Sequence, residues 1–420
     1  MADDLPSAAG SISSGMRGSA AGATPRRQSG FSLFLLLIAV TALNSVAVNL
    51  LVPVLPHIAK ELGSDYATIQ LATSGFLVAN AVGFLCLGSI SDRIGRRPAL
   101  LCGLLLFAGA SAVCATAGST FVLLAARFVE GIGAASGVVL AQTIIRDRYD
   151  HRRSASLIAY MALGYGAAPM LAPLVGGAID DHLGWRANFV LLTLAGLAAS
   201  VAAYWTLGET MWRPAATRTL ASLQALAGEP AFWAFTLTYT CSLAIFYCFL
   251  AGTSYAARFV LNIDGTAYGI YFIIVNLGYT AAAFLTGRFV GRLGPAPMMI
   301  AGAATAVLAT AGMMVAFVVG NNARLDYFVP MLIINFGNGL MQPNAIASVA
   351  SVRPELAGTA TGLAGALQVL FGAAATTVVG TILGMTGSQV GFAIAATAFA
   401  AGALGASLWA RTLKIGEVHS

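Results

Sequence analysis

The chain has 420 residues, of which 58% are hydrophobic and 9% charged, with mean hydropathy +0.82. Soluble domains carry roughly 25% charged residues, so this complement cannot cover a water-facing surface, and a soluble globular fold is excluded in favour of one bathed in lipid. The net charge of +6, which in a soluble protein points to nucleic acid, falls here in short segments between apolar runs. There basic residues set membrane orientation, and no nucleic-acid partner is expected.

Residues 1–30 are rich in Ser, Gly and Ala and read as a disordered polar tail. Arg26 and Arg27 precede an apolar run from Phe31 to Leu55. The run is too long for the apolar part of a signal peptide and long enough to cross a bilayer, so it is taken as the first span. Further runs of spanning length follow at 68–91, 98–117, 121–145, 155–179, 187–207, 231–255, 266–290, 296–319, 327–350, 357–383 and 387–410. None alternates polar with apolar as barrel strands do, and backbone in lipid must satisfy its own hydrogen bonds. The spans are therefore helices. The first and tenth give the weakest span signals, because Asn and Pro interrupt them.

With the N-terminus in the cytoplasm, 17 of the 22 basic residues lie on the inner side and four on the outer, Lys60, Arg186, Arg258 and Arg324. This asymmetry places both termini inside. The longest internal connection, 208–230, divides the spans six and six. Gly88-Ser-Ile-Ser-Asp-Arg-Ile-Gly-Arg-Arg-Pro98 after the second span matches Gly287-Arg-Phe-Val-Gly-Arg-Leu-Gly-Pro-Ala-Pro297 after the eighth at four positions. The expected fold is an all-α membrane protein of about twelve transmembrane helices in two six-helix, pseudo-symmetric bundles, 31–207 and 231–411, joined by a cytoplasmic loop 208–230 and ending in a cytoplasmic tail 412–420. A duplicated half around a midplane site is a transporter design.

Arg127 and Glu130 are the charged side chains deep inside a span, and their spacing of three sets them on one helix face. An unpaired charge at the bilayer centre costs at least about 2.5 kcal/mol. Two readings stay open for the pair: an ion pair bracing the N-terminal half, and a proton-binding carboxylate tuned by its arginine. Asn44, Asn49, Tyr239, Tyr247, Asn338, Gln342 and Gln368 belong to a set of amides and phenols in otherwise apolar helices. Each serves either interhelical hydrogen bonding or a cavity for a neutral or weakly amphipathic substrate. Five cysteines lack metal-ligand or disulfide spacing. Gly131-Ile-Gly133-Ala-Ala-Ser-Gly137 lies inside a span with no preceding strand, so it reads as helix packing rather than a nucleotide loop. No hydrolase constellation assembles. Neither an enzyme nor a resident metal or cofactor is expected.

The segment Gly88-x-x-x-Asp92-Arg93-x-Gly95-Arg96-Arg97 resembles the signature loop of the major facilitator superfamily. Arg127-Phe-Val-Glu130-Gly131 in the fourth span stands where that family has another signature. Gly164-Tyr-Gly-Ala-Ala-Pro169-Met-Leu-Ala-Pro173-Leu-Val-Gly176-Gly177 in the fifth is similar to its exporter-associated motif. Finer features resemble the Bcr/CflA drug-resistance branch: Pro53 and Pro56 in the first span, Trp185-Arg186-x-x-Phe189, Ala251-Gly-Thr-Ser254, and Ala357-Gly-Thr-Ala360 with Gln368. The resemblance implies proton-driven efflux of small, largely apolar molecules by a monomer in the bacterial cytoplasmic membrane, with substrate, protons and lipid as its partners. It implies that Asp92 with Arg93, Arg96 and Arg97 forms a latch made in one access state and broken in the other. Gly88 would permit close helix approach there and Gly95 a tight turn. It also implies a gate in the fifth span. One departure matters: where Bcr/CflA relatives carry an Asp in the first span this chain has Asn49, which cannot titrate near neutral pH, leaving Glu130 as the intramembrane carboxylate. A same-fold importer or uniporter is the alternative reading. A membrane-embedded enzyme or channel is opposed by the absent catalytic clusters and the repeat.

Overall fold

A computed structural model describes residues 30–149, 157, 161, 170–208, 220–320, 323–353 and 356–413. The expected tail 1–30, apart from its last residue, much of the central loop, and most of the C-terminal tail lie outside the described residues.

Among the described residues the chain is helical, without strands. The helices are α1 (Gly30–Asn49), α2 (Leu55–Glu61), α3 (Tyr66–Ile94), α4 (Arg96–Ala115), α5 (Thr120–Arg148), α6 (170–183) and α7 (Arg186–Thr206) in the first half. A short α8 (Leu220–Ala227) leads to α9 (Pro230–Phe259), α10 (Gly265–Leu293), α11 (Pro295–Val318), α12 (Arg324–Val352), α13 (Ala357–Thr386) and α14 (Gln389–Thr412). Ten stretches among the described residues are long and apolar enough to cross a membrane. The chain is thus an integral, multi-pass membrane protein.

Local chemistry sets these boundaries. Asp65 caps α3 by accepting from the Thr68 N–H at 2.7 Å, and that bond holds its carboxyl below the ordinary carboxylate range. Ser119 and Asp264 cap α5 and α10 in the same way. The first span departs from the run expected over 31–55. α1 stops at Asn49, a 3-10 turn follows at Val52–Val54, and α2 carries the chain on to Glu61. Pro53 and Pro56 explain the break, because each removes a donor and crowds the preceding turn. The expected tenth span forms as α12 but is not among the ten apolar stretches. Pro330, Pro343, Asn335, Asn338, Gln342 and Asn344 lower its hydropathy, and most of this polar set is buried within the protein. Of the expected fifth span, only the part from 170 onward, apart from Leu157 and Met161, is described.

The two halves repeat one packing map. In the first, α3 and α4 both pack on α5, α4 on α7, and α1 on α5 and α7. In the second, α10 and α11 pack on α12, α11 on α14, and α9 on α12 and α14. The repeat extends to the backbone. Gly95, between α3 and α4, has φ +99°, and its duplicate Gly294, between α10 and α11, has φ +78°. Both lie in a region that L side chains avoid, so the tight turn expected at Gly95 is present in both copies.

Within each half the helices approach closely. A Cβ on Gly133 would lie 2.6 Å from the Phe107 backbone nitrogen of α4, and one on Gly302 of α11 would lie 2.4 Å from the Gly337 carbonyl of α12. Gly365 of α13 has nothing within 4 Å. Gly133→Ala is expected to destabilise the chain by about 1–3 kcal/mol and Gly365→Ala to leave it unchanged or slightly stabilised, measured as thermal unfolding in detergent.

Candidate functional site

Four groups of residues singled out in the sequence fall in four places. The end of the bundle that carries the signature loop is called here the basic end, and the other the far end.

At the basic end the loop is organised around Arg96 rather than Asp92. Arg96 is buried, and its guanidinium binds Asp92 of its own loop at 2.6 Å and Asp147, near the end of α5, at 2.9 Å. It also donates to the Ser91 hydroxyl. Arg97 donates to the Tyr204 carbonyl at the end of α7, and its guanidinium lies over the Tyr204 ring. Arg93 is exposed. Asp92 therefore meets its own helix neighbour in this arrangement. Gly88, expected at a close approach, has nothing among the described residues within 4 Å of where a Cβ would stand.

Arg127 and Glu130 lie at the centre of the first half with no solvent exposure. They pair at 2.7 Å. Arg127 also donates to the carbonyls of Ala72 in α3 and Ala47 in α1, each at 3.3 Å, and its guanidinium lies 4.3 Å above the Phe76 ring. The Ser111 hydroxyl of α4 donates to Glu130 Oε1 at 2.8 Å, and Cys114 Sγ lies 3.9 Å from Oε2. One ion pair thus touches α1, α3, α4 and α5. Removing one partner of a buried pair leaves an uncompensated charge and costs about 3–5 kcal/mol. Arg127→Met alone is expected to abolish or sharply reduce folded yield. Arg127→Met with Glu130→Leu should recover much of it, read by size-exclusion profile and thermal unfolding.

The far end holds the contacts between the halves. α3 meets α13 where a Cβ on Gly380 or Gly384 would lie 2.8 Å from the side chains of Gln70 and Ala67. The pseudo-symmetric crossing is α6 on α10. There Gly177 lies against Gly265 backbone to backbone, and a Cβ on Gly269 would sit 2.2 Å from Leu174 Cα. Gly176 faces inward instead, onto the Leu50 carbonyl, and Pro173 is buried beside it. Gly164 and Pro169 lie outside the described residues. Hydrogen bonds reinforce the seal: Tyr66 donates to the Ala251 carbonyl at 2.7 Å, Ser254 to the Val52 carbonyl, and the backbone N–H and hydroxyl of Thr266 to Asp181. A cavity of about 210 Å³ opens between Pro53, His57 and Asp180 on one side and Ala257, Arg258 and Tyr268 on the other. His57 pairs with Asp180 at 2.8 Å. The basic-end ion pairs between described residues, Arg96 with Asp92 and Asp147 and Arg353 with Glu229, lie within one half.

The polar set divides. Asn44 forms a reciprocal amide pair with Asn80, which also donates to the Gly131 carbonyl, so its capacity is taken up between α1, α3 and α5. Asn49 donates to the Ser45 carbonyl, while its own side-chain oxygen finds no partner among the described residues. Tyr247 is buried against Gly372 of α13, Tyr239 and Gln342 are half-buried, and Gln368 is buried. Asn338 is buried with both amide atoms unpartnered among the described residues, as are Gln70 Oε1, Thr73 Oγ1 and Ser74 Oγ on α3. Sequence reasoning missed Gln70, Thr73, Ser74, His57, Asp180 and Asp181. A hydroxyl or amide in a span is a weak signal one residue at a time, and a carboxylate at a helix end reads as an ordinary loop charge.

The model of the Major Facilitator Superfamily matches residues 37–376. The chain is 31% identical to the multidrug resistance protein D of Escherichia coli over 347 residues, 82% of this chain and 87% of that protein. It is 28% identical to a bicyclomycin resistance protein homolog of Haemophilus influenzae over 365 residues, 83% and 88% of the two chains. Among solved structures, a bacterial homolog of the human lysosomal transporter Spinster superposes with TM-score 0.75 at 16% identity, covering 93% of this chain and 99% of that one.

Proposed function

This chain belongs to the major facilitator superfamily and is a transporter; from that premise we propose that it exports small, largely apolar, drug-like molecules across the bacterial cytoplasmic membrane by alternating access, in exchange for protons. The observation that carries the mechanism is the far-end seal: there the two halves are hydrogen-bonded and backbone-packed against each other. With basic residues on the cytoplasmic side, the far end faces outward, both termini face the cytoplasm, and the arrangement is closed to the outside. Full-length similarity to resistance proteins supports drugs as the cargo.

In this reading the central walls bind cargo through Tyr247, Asn338 and Gln368, joined by Thr73 and Ser74. A buried polar atom without a protein partner costs about 1–3 kcal/mol, and a hydrogen-bonding cargo or water offsets that cost. Gly177 serves the gate, because its backbone contact with Gly265 closes α6 on α10 without side chains to disentangle. Asp92 is the mobile half of the basic-end latch. Glu130 carries the coupling proton and Arg127 tunes it. Carriage through Glu130 requires that the transport cycle loosen α4 from α5, since Ser111 and Arg127 enclose the carboxylate here. That enclosure, with Asn49 in the first span, favours a second reading in which the pair is a brace and transport is uncoupled.

Transport in inverted vesicles with an imposed pH gradient separates the two. Under the first reading, bicyclomycin or neutral apolar drugs accumulate and a protonophore collapses the accumulation. Equilibration indifferent to the gradient supports uniport. Glu130→Gln, assayed at equal amounts of folded protein because it leaves the Arg127 charge without its partner, is expected to lower gradient-driven uptake at least about a hundredfold while leaving equilibrium exchange measurable. Full gradient-driven uptake by Glu130→Gln assigns the pair to bracing.

A further inference from the structure

The N-terminus of α10 is capped from two halves of the molecule. Asp264, the residue before the helix, accepts from the Ala267 N–H at 2.6 Å. The two preceding donors have another acceptor. Asp181, at the end of α6, lies 3.4 Å from the Gly265 nitrogen and 3.0 Å from the Thr266 nitrogen, and its Oδ2 also accepts from the Thr266 hydroxyl at 2.7 Å. The first N–H groups of a helix have no partner within the helix and carry its positive dipole end. A carboxylate from the opposite half is therefore their natural acceptor, but only while the halves are together.

Directly beside this cap is the Gly177–Gly265 contact. A Cβ on Gly177 would fall 2.2 Å from the Gly265 carbonyl carbon, and one on Gly265 would fall 2.7 Å from Gly177 Cα. That approach brings Asp181, one turn further along α6, within reach of α10. Asp181 and Thr266 are also solvent-accessible enough for water to replace the bonds when they break. A contact that must form and dissolve in every cycle needs that property, which the buried Arg127–Glu130 pair lacks.

We propose that Asp181 is the gating residue of the outer end: its cross-half cap on α10 holds the outward-closed state, and transport requires the cap to break. The inference rests on the alternating-access reading above and adds to it the residue that sets the balance between the two states. It places at the far end a contact that forms in one access state and breaks in the other, as expected of Asp92 at the basic end.

Two measurements on the full-length chain test this. Ala257 of α9 lines the far-end cavity and is 5% exposed. The thiol introduced by Ala257→Cys reports closure through its rate of labelling by a membrane-impermeant maleimide added outside, followed by peptide mass spectrometry so that the native cysteines do not interfere. Adding Asp181→Ala is expected to raise that rate about fivefold, an effect of the size of a lost helix cap. Asp181→Asn, which keeps an acceptor oxygen, should raise it less. In the second measurement, Asp181→Cys with Thr266→Cys is bridged by a short bifunctional thiol reagent. Bridging is expected to stop transport, and reduction to restore it, with the native chain under the same reagent as control. If Asp181→Ala does not fold, the isosteric Asp181→Asn carries the labelling measurement, and unchanged labelling in it overturns the proposal. Unchanged labelling in a folded Asp181→Ala chain, or transport by the bridged chain at the unbridged rate, overturns the proposal. Absence of transport by the native chain counts against the transport reading instead, and the labelling arm does not depend on transport.

Discussion

A guanidinium and a carboxylate, paired at 2.7 Å with no solvent exposure, hold the first half together. In hydrocarbon a charge has no water to fall back on, so every donor and acceptor must find protein. Arg127 does so by reaching the Ala47 and Ala72 carbonyls, and Glu130 by accepting from Ser111. Together these bonds fix the spacing of four helices. The hydrophobic effect cannot supply that spacing, because lipid tails solvate Leu and Val as well as another helix does. What remains is close packing of small residues, such as Gly133 on α4, and a few buried polar bonds that specify which helix goes where.

Among the described residues the second half reaches the same packing map without a buried ion pair of this kind. Its α11–α12 contact places Gly302 against Gly337, and its amides take part instead: Asn335 of α12 donates to the Val275 carbonyl of α10 and Asn344 to its own helix. This division has a mechanical consequence. In the bracing reading the first half moves as one body, and motion falls at the interface between halves. There α3 lies along α13 through glycine contacts, and hydroxyl bonds and a carboxylate cap cross from one half to the other. Halves that move as bodies over one such interface are the requirement of a rocking transporter.

The helices were legible in the sequence because hydrocarbon imposes a length and a composition that can be read residue by residue. The duplication was legible because Gly95 and Gly294 must both hold a positive φ that other residues avoid. α12 was harder, since its amides and prolines lower the hydropathy on which span recognition depends, although Asn335, Asn338 and Asn344 are buried in the folded half. Pairings were less legible still. Nothing in the sequence says that Arg96, not Arg93 or Arg97, takes Asp92 and Asp147 together, or that Asn44 closes on Asn80 rather than facing a cavity. Those choices depend on helix rotation, which the apolar lipid-facing surface leaves almost unspecified.

Trp185 and Arg186 show how a local motif takes its meaning from its surroundings. Both bind Glu61 at the end of α2, the indole N–H at 2.6 Å and the guanidinium beside it, and Arg186 also stacks on the Trp185 ring. The pair ties the end of the broken first span to the start of α7. After the α1–α2 break at Pro53 and Pro56, this tie adds to the buried contacts of Leu55, Ile58 and Ala59 in holding α2. With α2 fixed, His57 is held against Asp180 and Val52 is presented to Ser254 of the other half. The far-end seal is therefore built on a brace within the first half. Closure needs no folding of loops, only the approach of two preassembled surfaces, and so its free energy can stay small enough for cargo binding to reverse it.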